Sequence, residues 1–541
     1  MFIRKKPPRS HALGEPLRHE NHPRPVTRRE LLGAGFLSGS AMVVGPAWLG
    51  ALLKASGANA GTLSPDIQAL LASTQCNVQS AGAGIPFICF DLAGGANLVG
   101  SEVIVGVQGG QSNFLSTAGY GKLGVPGNMV PSSTANVDSS LGLLWHADGA
   151  IKRGIATKAA ATTAAGVSGA VFCAMSQNDT QQNPHNPMYG IAKAGANGQL
   201  LTLIGTESSV SGGNSAAPMA MIDPALQPTT ISQPSDATAL VPIPPGGTLD
   251  PLSVAVLESQ TRISTGTTPT AGGGDQGAFT GALSMPAGAT PGVQLYTDPT
   301  QDAALKNQVR CAYVKSANTA NLFGDPSALD PTKDTAITGG ATPIFTAADF
   351  QDNDVAATAT VMKLVIDGFA GAGTIAIGGY DYHDGTRATG ETRNFKAGQM
   401  IGAVLEYAAR RNTPVMIYVL SDGSLSSNSM VDNSTAGRGK LGWQGDNSSV
   451  SSTFCLVYSP KGRPGLRNGA AGQQIGWFSS DGSVVSTSSP AANSVNQLVE
   501  LVILNYMGLM GKDNLFTTTF PMQGLGPTSA LGAMTVFTPI V

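Results

Sequence analysis

The segment TIAIGGYDYHDG, residues 374–385, contains the residue types that most directly suggest chemistry. A short apolar run ends at two glycines, and an aspartate, a tyrosine, a histidine and a second aspartate follow. Asp381 and His383 are two positions apart, so in an extended backbone both side chains point to one side and Tyr382 points to the other. A carboxylate and an imidazole in this arrangement can bind one divalent cation such as Zn²⁺, Mn²⁺, Mg²⁺ or Ca²⁺. The alternative is a polar turn without a ligand.

Two more aspartates end apolar runs elsewhere in the chain. Asp91 closes FICFD, and Asp422 follows VMIYVLS. In open α/β sheets ligands bind beyond the carboxyl ends of the strands, so we expect Asp91, Asp381 and Asp422 at one edge of a sheet. Each aspartate alone is also typical of a turn or a helix cap. The three together, with His383, favour a metal site.

Two other histidines lie beyond residue 60. His185 follows the apolar run AVFCAM and reaches the same edge if that run is a parallel strand; otherwise it is an ordinary loop histidine. We therefore include His185 among the candidate metal ligands. His146, in LGLLWHADGAI, is predicted to lie on an amphipathic helix, where it packs or caps.

The surrounding patterns predict an α/β fold with a mostly parallel central sheet flanked by helices. Helical spacing of apolar residues precedes residue 374 and recurs in FKAGQMIGAVLEYAARRN. Residues 374–420 are therefore expected to form two parallel strands joined by one helix, a right-handed βαβ crossover. STFCLVYSP is predicted to be a further strand, and SVNQLVELVILNYMGLMG a closing helix. Cys89, Cys173 and Cys455 lie in apolar runs and are interpreted as core thiols.

The amino terminus differs in composition from the rest of the chain. Arg28 and Arg29 precede a Gly-rich apolar stretch at 31–53 and the Ala58-Asn59-Ala60 pattern, which predicts a twin-arginine signal peptide over residues 1–60, cleaved after Ala60. The alternative is a retained membrane anchor. Beyond residue 60 the chain has 22 basic and 31 acidic residues and no basic stripe, so nucleic acid is not an expected partner.

Residues 61–541 are expected to form a single α/β domain with a low-charge, loop-rich insertion around residues 205–345. The insertion is rich in Gly, Thr, Ser and Pro, with one helix predicted near residues 250–263. Several common catalytic motifs do not occur: there is no G-x-S-x-G, no P-loop and no H-E-x-x-H.

Five segments occur in a characteristic order after the twin-arginine leader: FICFDLAGGANLVG, VFCAMSQNDTQQNPH, GGYDYH, YVLSDGS and GKLGWQGDNS. This order resembles a family of secreted bacterial proteins of unknown function within the alkaline phosphatase/sulfatase-like superfamily. GGYDYH is the most specific of the five and matches a Gly-Gly-aromatic-Asp-x-His element. The resemblance implies an alkaline phosphatase-like fold and a metal-dependent hydrolase site at the sheet edge.

The chain departs from the family pattern at three turns. Ser421-Asp422-Gly423 replaces Asp-His or Ser-Glu-Phe-Gly, Gly445-Asp446-Asn447 replaces Asp-His-Gly, and Gly94-Gly95-Ala96-Asn97 replaces Gly-Gly-x-Asp. The resemblance therefore implies one metal ion or none, where a complete site has two. A superfamily nucleophile follows the first strand at a helix start. Ser101 and Ser112 are the nearest serines, and GGQSNFLS is compatible with a helix start at Ser112; the alternative is a serine that only caps a helix.

Two functions from different classes are compatible with the sequence. The first is a periplasmic or secreted, metal-dependent hydrolase of phosphate or sulfate esters, with a small-molecule ester as substrate and the twin-arginine translocase as partner during export. The second is a non-catalytic envelope or secretion-associated scaffold with a protein partner, because fold does not imply function. A carbohydrate-binding surface protein is a third reading, based on the Asn-, Ser- and Thr-rich loops.

Overall fold

Eight strands, identified in a computed structural model, form the central sheet of this protein. The structure describes residues 84–176, 183–240 and 326–541. These residues belong to one unit, Ala72–Thr248 with Leu322–Val541. Outside the described residues lie the predicted leader, with Arg28, Arg29 and its cleavage site, and the predicted helix near residues 250–263. Within the described ranges, no helix has both the length and the hydropathy needed to cross a bilayer.

The strands alternate with helices along much of the chain. The strands are β1 Phe87–Leu92, β2 Val137–Asp138, β3 Trp145–His146, β4 Val167–Cys173, β5 Leu201–Gly205, β6 Thr229–Thr230, β7 Ala370–Ile377, β8 Val415–Leu420, β9 Leu425–Asp432, β10 Lys440–Asp446, β11 Ser452–Tyr458 and β12 Gln474–Ile475. The helices are α1 Thr117–Lys122, α2 Ala150–Lys158, α3 Ala161–Ala165, α4 Met188–Lys193, α5 Pro234–Ala239, α6 Thr335–Thr338, α7 Asn353–Ile366, α8 Ala388–Arg410, α9 Val495–Leu509, α10 Phe516–Thr519 and α11 Thr528–Leu531.

The sheet is mixed but mostly parallel, which confirms the predicted α/β class. Its order is β12-β4-β11-β8-β1-β7-β5-β6. β1 lies between β7 and β8 and is parallel to both. The expected pair of parallel strands joined by one helix, β7–α8–β8, is therefore confirmed, with β1 lying between the two strands. β11 pairs antiparallel with both β8 and β4, so β4 runs in the same direction as β8.

Side-chain type explains why β1 is central. All six of its residues are buried, and five of them are apolar. On one face Phe87 packs edge-on against Tyr506 of α9, with ring centroids 5.8 Å apart. On the other face α7 packs against β1 and β7, and α8 lies beside α7 and contacts β8 and β11. α2 and α8 approach closely because Gly398 has no side chain. A Cβ at this position would lie 2.1 Å from the Ile151 carbonyl oxygen, so a larger residue would separate the helices.

Polar side chains cap the amino-terminal ends of two long helices. Asp352 caps α7 by accepting from the Asp354 amide, and Ser494 caps α9 by accepting from the Gln497 amide. α8 begins without a cap of its own. The amides of Arg387 and Ala388 instead donate to Asp432 Oδ2 at 2.8 and 3.1 Å, which ties this helix to β9.

His146 does not lie on a helix, so that prediction was wrong. It is buried in the two-residue strand β3, where it pairs with Val137 of β2. A turn follows, in which the Gly149 amide donates to the His146 carbonyl oxygen at 2.8 Å, and α2 starts at Ala150. The three cysteines predicted to be core thiols, Cys89, Cys173 and Cys455, are free and buried.

Candidate metal centre

The carboxyl ends of β1, β7 and β8 lie side by side, because the three strands are parallel and in register. Asp91 pairs with Ala376 of β7 and with Leu420 of β8. Asp381 and Asp422 follow these two strands within a few residues. The three aspartates therefore lie at one edge of the sheet, as predicted. Asp381 belongs to an exposed cluster, whereas Asp91 and Asp422 lie in a buried polar layer beneath the surface.

The exposed cluster consists of Asp381, His383 and Asp446. One ligand atom from each of the three lies within 4.8 Å of the other two. His383 Nε2 is 2.7 Å from Asp381 Oδ1, and their side chains are 42% and 49% exposed. Asp446 is the last residue of β10 and is also exposed. The cluster thus joins the turn after β7 to the end of an antiparallel hairpin.

Alternating orientation explains how the turn after β7 presents its two candidate ligands. Tyr380 and Tyr382 are buried, whereas Asp381 and His383 are exposed, as expected for locally extended backbone. The Tyr380 hydroxyl donates to the Arg393 carbonyl oxygen at 3.0 Å. The tyrosines hold the turn against α8, and the polar side chains project outward.

The spacing of the cluster suits a cation. Zn²⁺ binds N and O ligands at about 2.0–2.2 Å and Mg²⁺ binds O ligands at about 2.0–2.1 Å, so two ligands of one ion lie at most about 4.4 Å apart. Small rotations of exposed side chains bring atoms within 4.8 Å to that spacing. Three protein ligands leave coordination positions for water or a substrate.

Asp91 belongs to the buried polar layer. Its Oδ2 accepts from the Ser215 amide at 2.6 Å and its Oδ1 from the Ser215 hydroxyl at 3.2 Å. Burial raises the pKa of Asp91 to about 7; the hydrogen bonds from Ser215 oppose the rise and the nearby Asp422 carboxylate adds to it. Both oxygens of Asp91 thus hold the loop around residue 215, and neither joins the exposed cluster.

Asp422 is also buried and acts on the turn after β1. Its Oδ1 accepts from the Gly94 amide at 2.9 Å. The neighbouring Ser421 hydroxyl accepts from the Gly95 and Ala96 amides at 3.0 and 2.7 Å and donates to the Leu92 carbonyl oxygen. These contacts fix the Gly-Gly turn, and the Asp422 carboxylate lies inside the sheet edge.

His185 lies in the buried layer as well. β4 is parallel to β8, so the loop after β4 does reach the predicted edge. His185 Nε2 is 2.7 Å from the Ser176 hydroxyl, which donates to the Asp422 carbonyl oxygen at 3.0 Å. Burial lowers the pKa of His185 to about 4, so the ring is neutral at pH 7. Of the five predicted metal ligands, only Asp381 and His383 lie in the exposed cluster.

Neither candidate nucleophile lies in the exposed cluster. Ser112 is an exposed turn residue, and α1 starts only at Thr117, where the Ser116 hydroxyl caps the helix. The helix start at Ser112 was therefore wrong. This turn is attached to the far edge strand β12, because the Gly106 amide donates to Gln474 Oε1 at 2.8 Å. Ser101 is buried and accepts from Arg387 Nη2 at 2.7 Å.

Sequence reasoning did not identify Asp446 as a ligand. The signal was the segment GKLGWQGDNS, which stands where the resembled family has an Asp-His-Gly turn. This segment keeps the aspartate of such a turn but not its histidine. A hairpin pairing, Asp446 with Leu425, positions this aspartate, and such pairing is not readable from local periodicity.

Comparison with known proteins adds no assignment. The chain matches no family model, no curated protein and no solved structure among those searched.

Proposed function

We propose that the protein is an exported, metal-dependent hydrolase of phosphate or sulfate esters that uses one divalent cation. The observation that carries the proposal is the convergence of Asp381, His383 and Asp446 at the carboxyl edge of the sheet. Open α/β sheets bind their ligands at this edge. The twin-arginine pattern at Arg28 and Arg29 supports export to the periplasm or beyond.

The donor set narrows the identity of the cation. Two carboxylates and one imidazole suit Zn²⁺ or Mn²⁺ better than Ca²⁺ or Mg²⁺, which prefer oxygen ligands alone. Asp381, His383 and Asp446 would hold the ion. When bound, such an ion polarises an ester oxygen and stabilises negative charge that develops in the transition state. Because all three side chains are exposed, a substrate can reach the site without rearrangement of the core.

The buried layer supports the use of a single ion. Asp91, Asp422 and the His185–Ser176 pair are engaged in internal hydrogen bonds. Recruiting them as ligands would leave the Ser215 and Gly94 amides without acceptors in a buried region. An unsatisfied buried donor costs about 1–3 kcal/mol. A second ion at this layer is therefore disfavoured.

The same observation favours a second candidate, a non-catalytic envelope scaffold or binding protein. Internally satisfied carboxylates stabilise a fold without performing chemistry. The two candidates differ in one property, which is whether bound metal supports turnover.

Metal titration distinguishes the candidates. Purified protein is titrated with Zn²⁺, Mn²⁺, Mg²⁺ and Ca²⁺ separately by calorimetry, and thermal melts are recorded with and without a chelator. We expect one Zn²⁺ or Mn²⁺ per chain and a lower melting temperature after chelation, because a bound ion stabilises the folded state by mass action. Asp381→Ala, His383→Ala and Asp446→Ala should each lose this response.

Asp384→Asn is the matched control. Asp384 is exposed in the same turn but hydrogen-bonds to Thr386 and Thr389, so its variant should bind metal like the wild type. Hydrolysis of p-nitrophenyl phosphate and p-nitrophenyl sulfate is then measured with the bound ion. Absence of stoichiometric metal refutes the metal centre. Metal binding without hydrolysis of either ester supports the scaffold.

A further inference from the structure

Tyr382 lies between the two ligands that the turn after β7 contributes. Asp381 and His383 point outward, and the Tyr382 side chain between them is 2% exposed. In extended backbone, a shift of the buried side chain moves both of its neighbours. Tyr382 is therefore placed to control the positions of both ligands together.

The Tyr382 hydroxyl connects three segments. It accepts from the Asn97 amide at 3.1 Å and donates to Asn394 Oδ1 at 3.1 Å. Asn97 follows the glycine turn after β1, and Asn394 lies on α8. Asn394 Nδ2 in turn donates to the buried Glu102 carboxylate at 3.1 Å. The hydroxyl thus anchors the ligand-bearing turn to the segment after β1 and to α8.

The Tyr382 ring reaches the element that supplies the third ligand. Its centroid is 6.3 Å from that of Trp443, which is buried on β10 three residues before Asp446. Both rings rest on Gly390 of α8. A Cβ at Gly390 would lie 2.7 Å from Trp443 Nε1 and 2.9 Å from the Tyr382 ring. The contact between Tyr382 and Trp443 therefore links the turn that carries Asp381 and His383 to the strand that carries Asp446.

We infer that Tyr382 is a positioning residue for the metal centre, and this inference rests on the proposed function. Its hydroxyl fixes the turn that carries Asp381 and His383 against Asn97 and Asn394. Its ring sets the distance of this turn from β10. Loss of a side chain that hydrogen-bonds to a metal ligand typically changes metal affinity 10- to 100-fold, and Tyr382, which holds its two neighbours through the backbone, is expected at the lower end of this range.

The test separates metal affinity from fold stability. Affinity for Zn²⁺ and for Mn²⁺ is measured by calorimetry, and the melting temperature is measured without metal, for Tyr382→Phe and Tyr382→Leu. Tyr506→Phe is the matched control. Its hydroxyl is also buried and donates to the Ile85 carbonyl oxygen at 2.8 Å, but it lies on α9 at the opposite face of the sheet.

We expect Tyr382→Phe to weaken metal binding about tenfold and Tyr382→Leu to weaken it further, because the leucine also loses the contact with Trp443. Tyr506→Phe should lower the melting temperature without changing affinity. Equal affinity in Tyr382→Phe and wild type overturns the inference and leaves the metal centre intact. Absence of metal binding in the wild type overturns both.

Gly390→Ala provides a second variant in case Tyr382→Leu does not fold. It keeps the hydroxyl but displaces the ring from its seat on α8. A loss of affinity in this variant, together with an intact fold by circular dichroism, supports the positioning role. Unchanged affinity contradicts it.

Discussion

Replacing Asp91 with Asn should change how the stability of the protein depends on pH. Asp91 is fully buried, and burial raises its pKa from 3.8 to about 7. Asn has the same shape and stays neutral. Its oxygen can accept from the Ser215 amide, and its nitrogen can donate to the Ser215 hydroxyl, which can rotate to accept. The substitution therefore removes the charge and preserves the hydrogen bonds.

The direction in which stability changes with pH follows from the protons bound by the folded and unfolded chains. Between pH 3.8 and about 7 the unfolded chain has an ionised Asp91, whereas the folded chain keeps it protonated. The stability that protonated Asp91 contributes is complete below pH 3.8 and is lost as the pH rises to about 7. At about 1.4 kcal/mol for each tenfold change in proton affinity, the loss totals about 4 kcal/mol. Asp91→Asn does not undergo this loss.

Two buried histidines change the stability with pH in the opposite direction, and their contribution must be separated from that of Asp91. Burial lowers the folded pKa of both His146 and His185 from 6.5 to about 4, with Lys440 also lowering that of His146. Their contribution is present above pH 6.5 and is lost as the pH falls to about 4. The difference between Asp91→Asn and wild type cancels these contributions, because both proteins contain both histidines.

The assay is urea unfolding at intervals from pH 4.5 to 8.5. The free energy of unfolding of Asp91→Asn relative to wild type should rise by as much as about 3–4 kcal/mol across this range. Asp138→Asn is the control. Partial burial acts to raise the pKa of Asp138, but hydrogen bonds from Lys152 and Ser140 lower it overall. The stability of Asp138→Asn relative to wild type should therefore change with pH only below about pH 4, outside the range of the assay. Parallel curves for Asp91→Asn and wild type would refute the reasoning.

Two further predictions concern export and the turn after β1. Replacing Arg28 and Arg29 with Lys should leave precursor in the cytoplasm, because the translocase reads the paired guanidinium groups; immunoblots of cell fractions measure this, and normal periplasmic appearance contradicts it. Gly94→Ala should destabilise the fold by about 1–3 kcal/mol and weaken metal binding, because Gly94 has a φ of +125° and its Cβ would lie 2.4 Å from the Asp381 amide nitrogen. Gly385→Ala is the control, because its backbone is also strained (φ +84°) but its Cβ enters open space. Chemical denaturation should show a smaller loss of unfolding free energy for this variant than for Gly94→Ala, and calorimetry should show an unchanged metal affinity.

Local patterns were sufficient for the parts of the fold that depend on local physics. Continuous apolar runs predicted β1, β4, β7 and β8 because strands buried on both faces contain few polar residues. The two-residue period of an extended strand predicted that Asp381 and His383 would face away from Tyr382. Parallel crossover geometry then placed Asp91, Asp381 and Asp422 at one edge of the sheet.

Features that depend on tertiary contacts could not be predicted. An apolar run has no direction, so β11 was recognised as a strand but its antiparallel orientation was not. Apolar spacing around His146 fits a helix, yet pairing with Val137 makes this residue part of a strand. Asp446 reaches the cluster through the β9–β10 hairpin, a contact between segments that have no common local pattern.

The three aspartates at the sheet edge illustrate why one residue type at equivalent positions does not imply one role. Asp91 points into the sheet edge, where it holds the loop at Ser215. Asp422 accepts from the Gly94 amide, and Gly94 packs against the backbone of Asp381. The carboxylate of Asp422 therefore supports the turn that carries Asp381 from inside, through one glycine, and is not itself part of the exposed cluster. Only Asp381 lies on a turn whose neighbouring side chains are buried tyrosines, and this forces its own side chain outward to His383 and Asp446. Burial of the neighbours, more than position along the strand, decides which carboxylate is available to a cation.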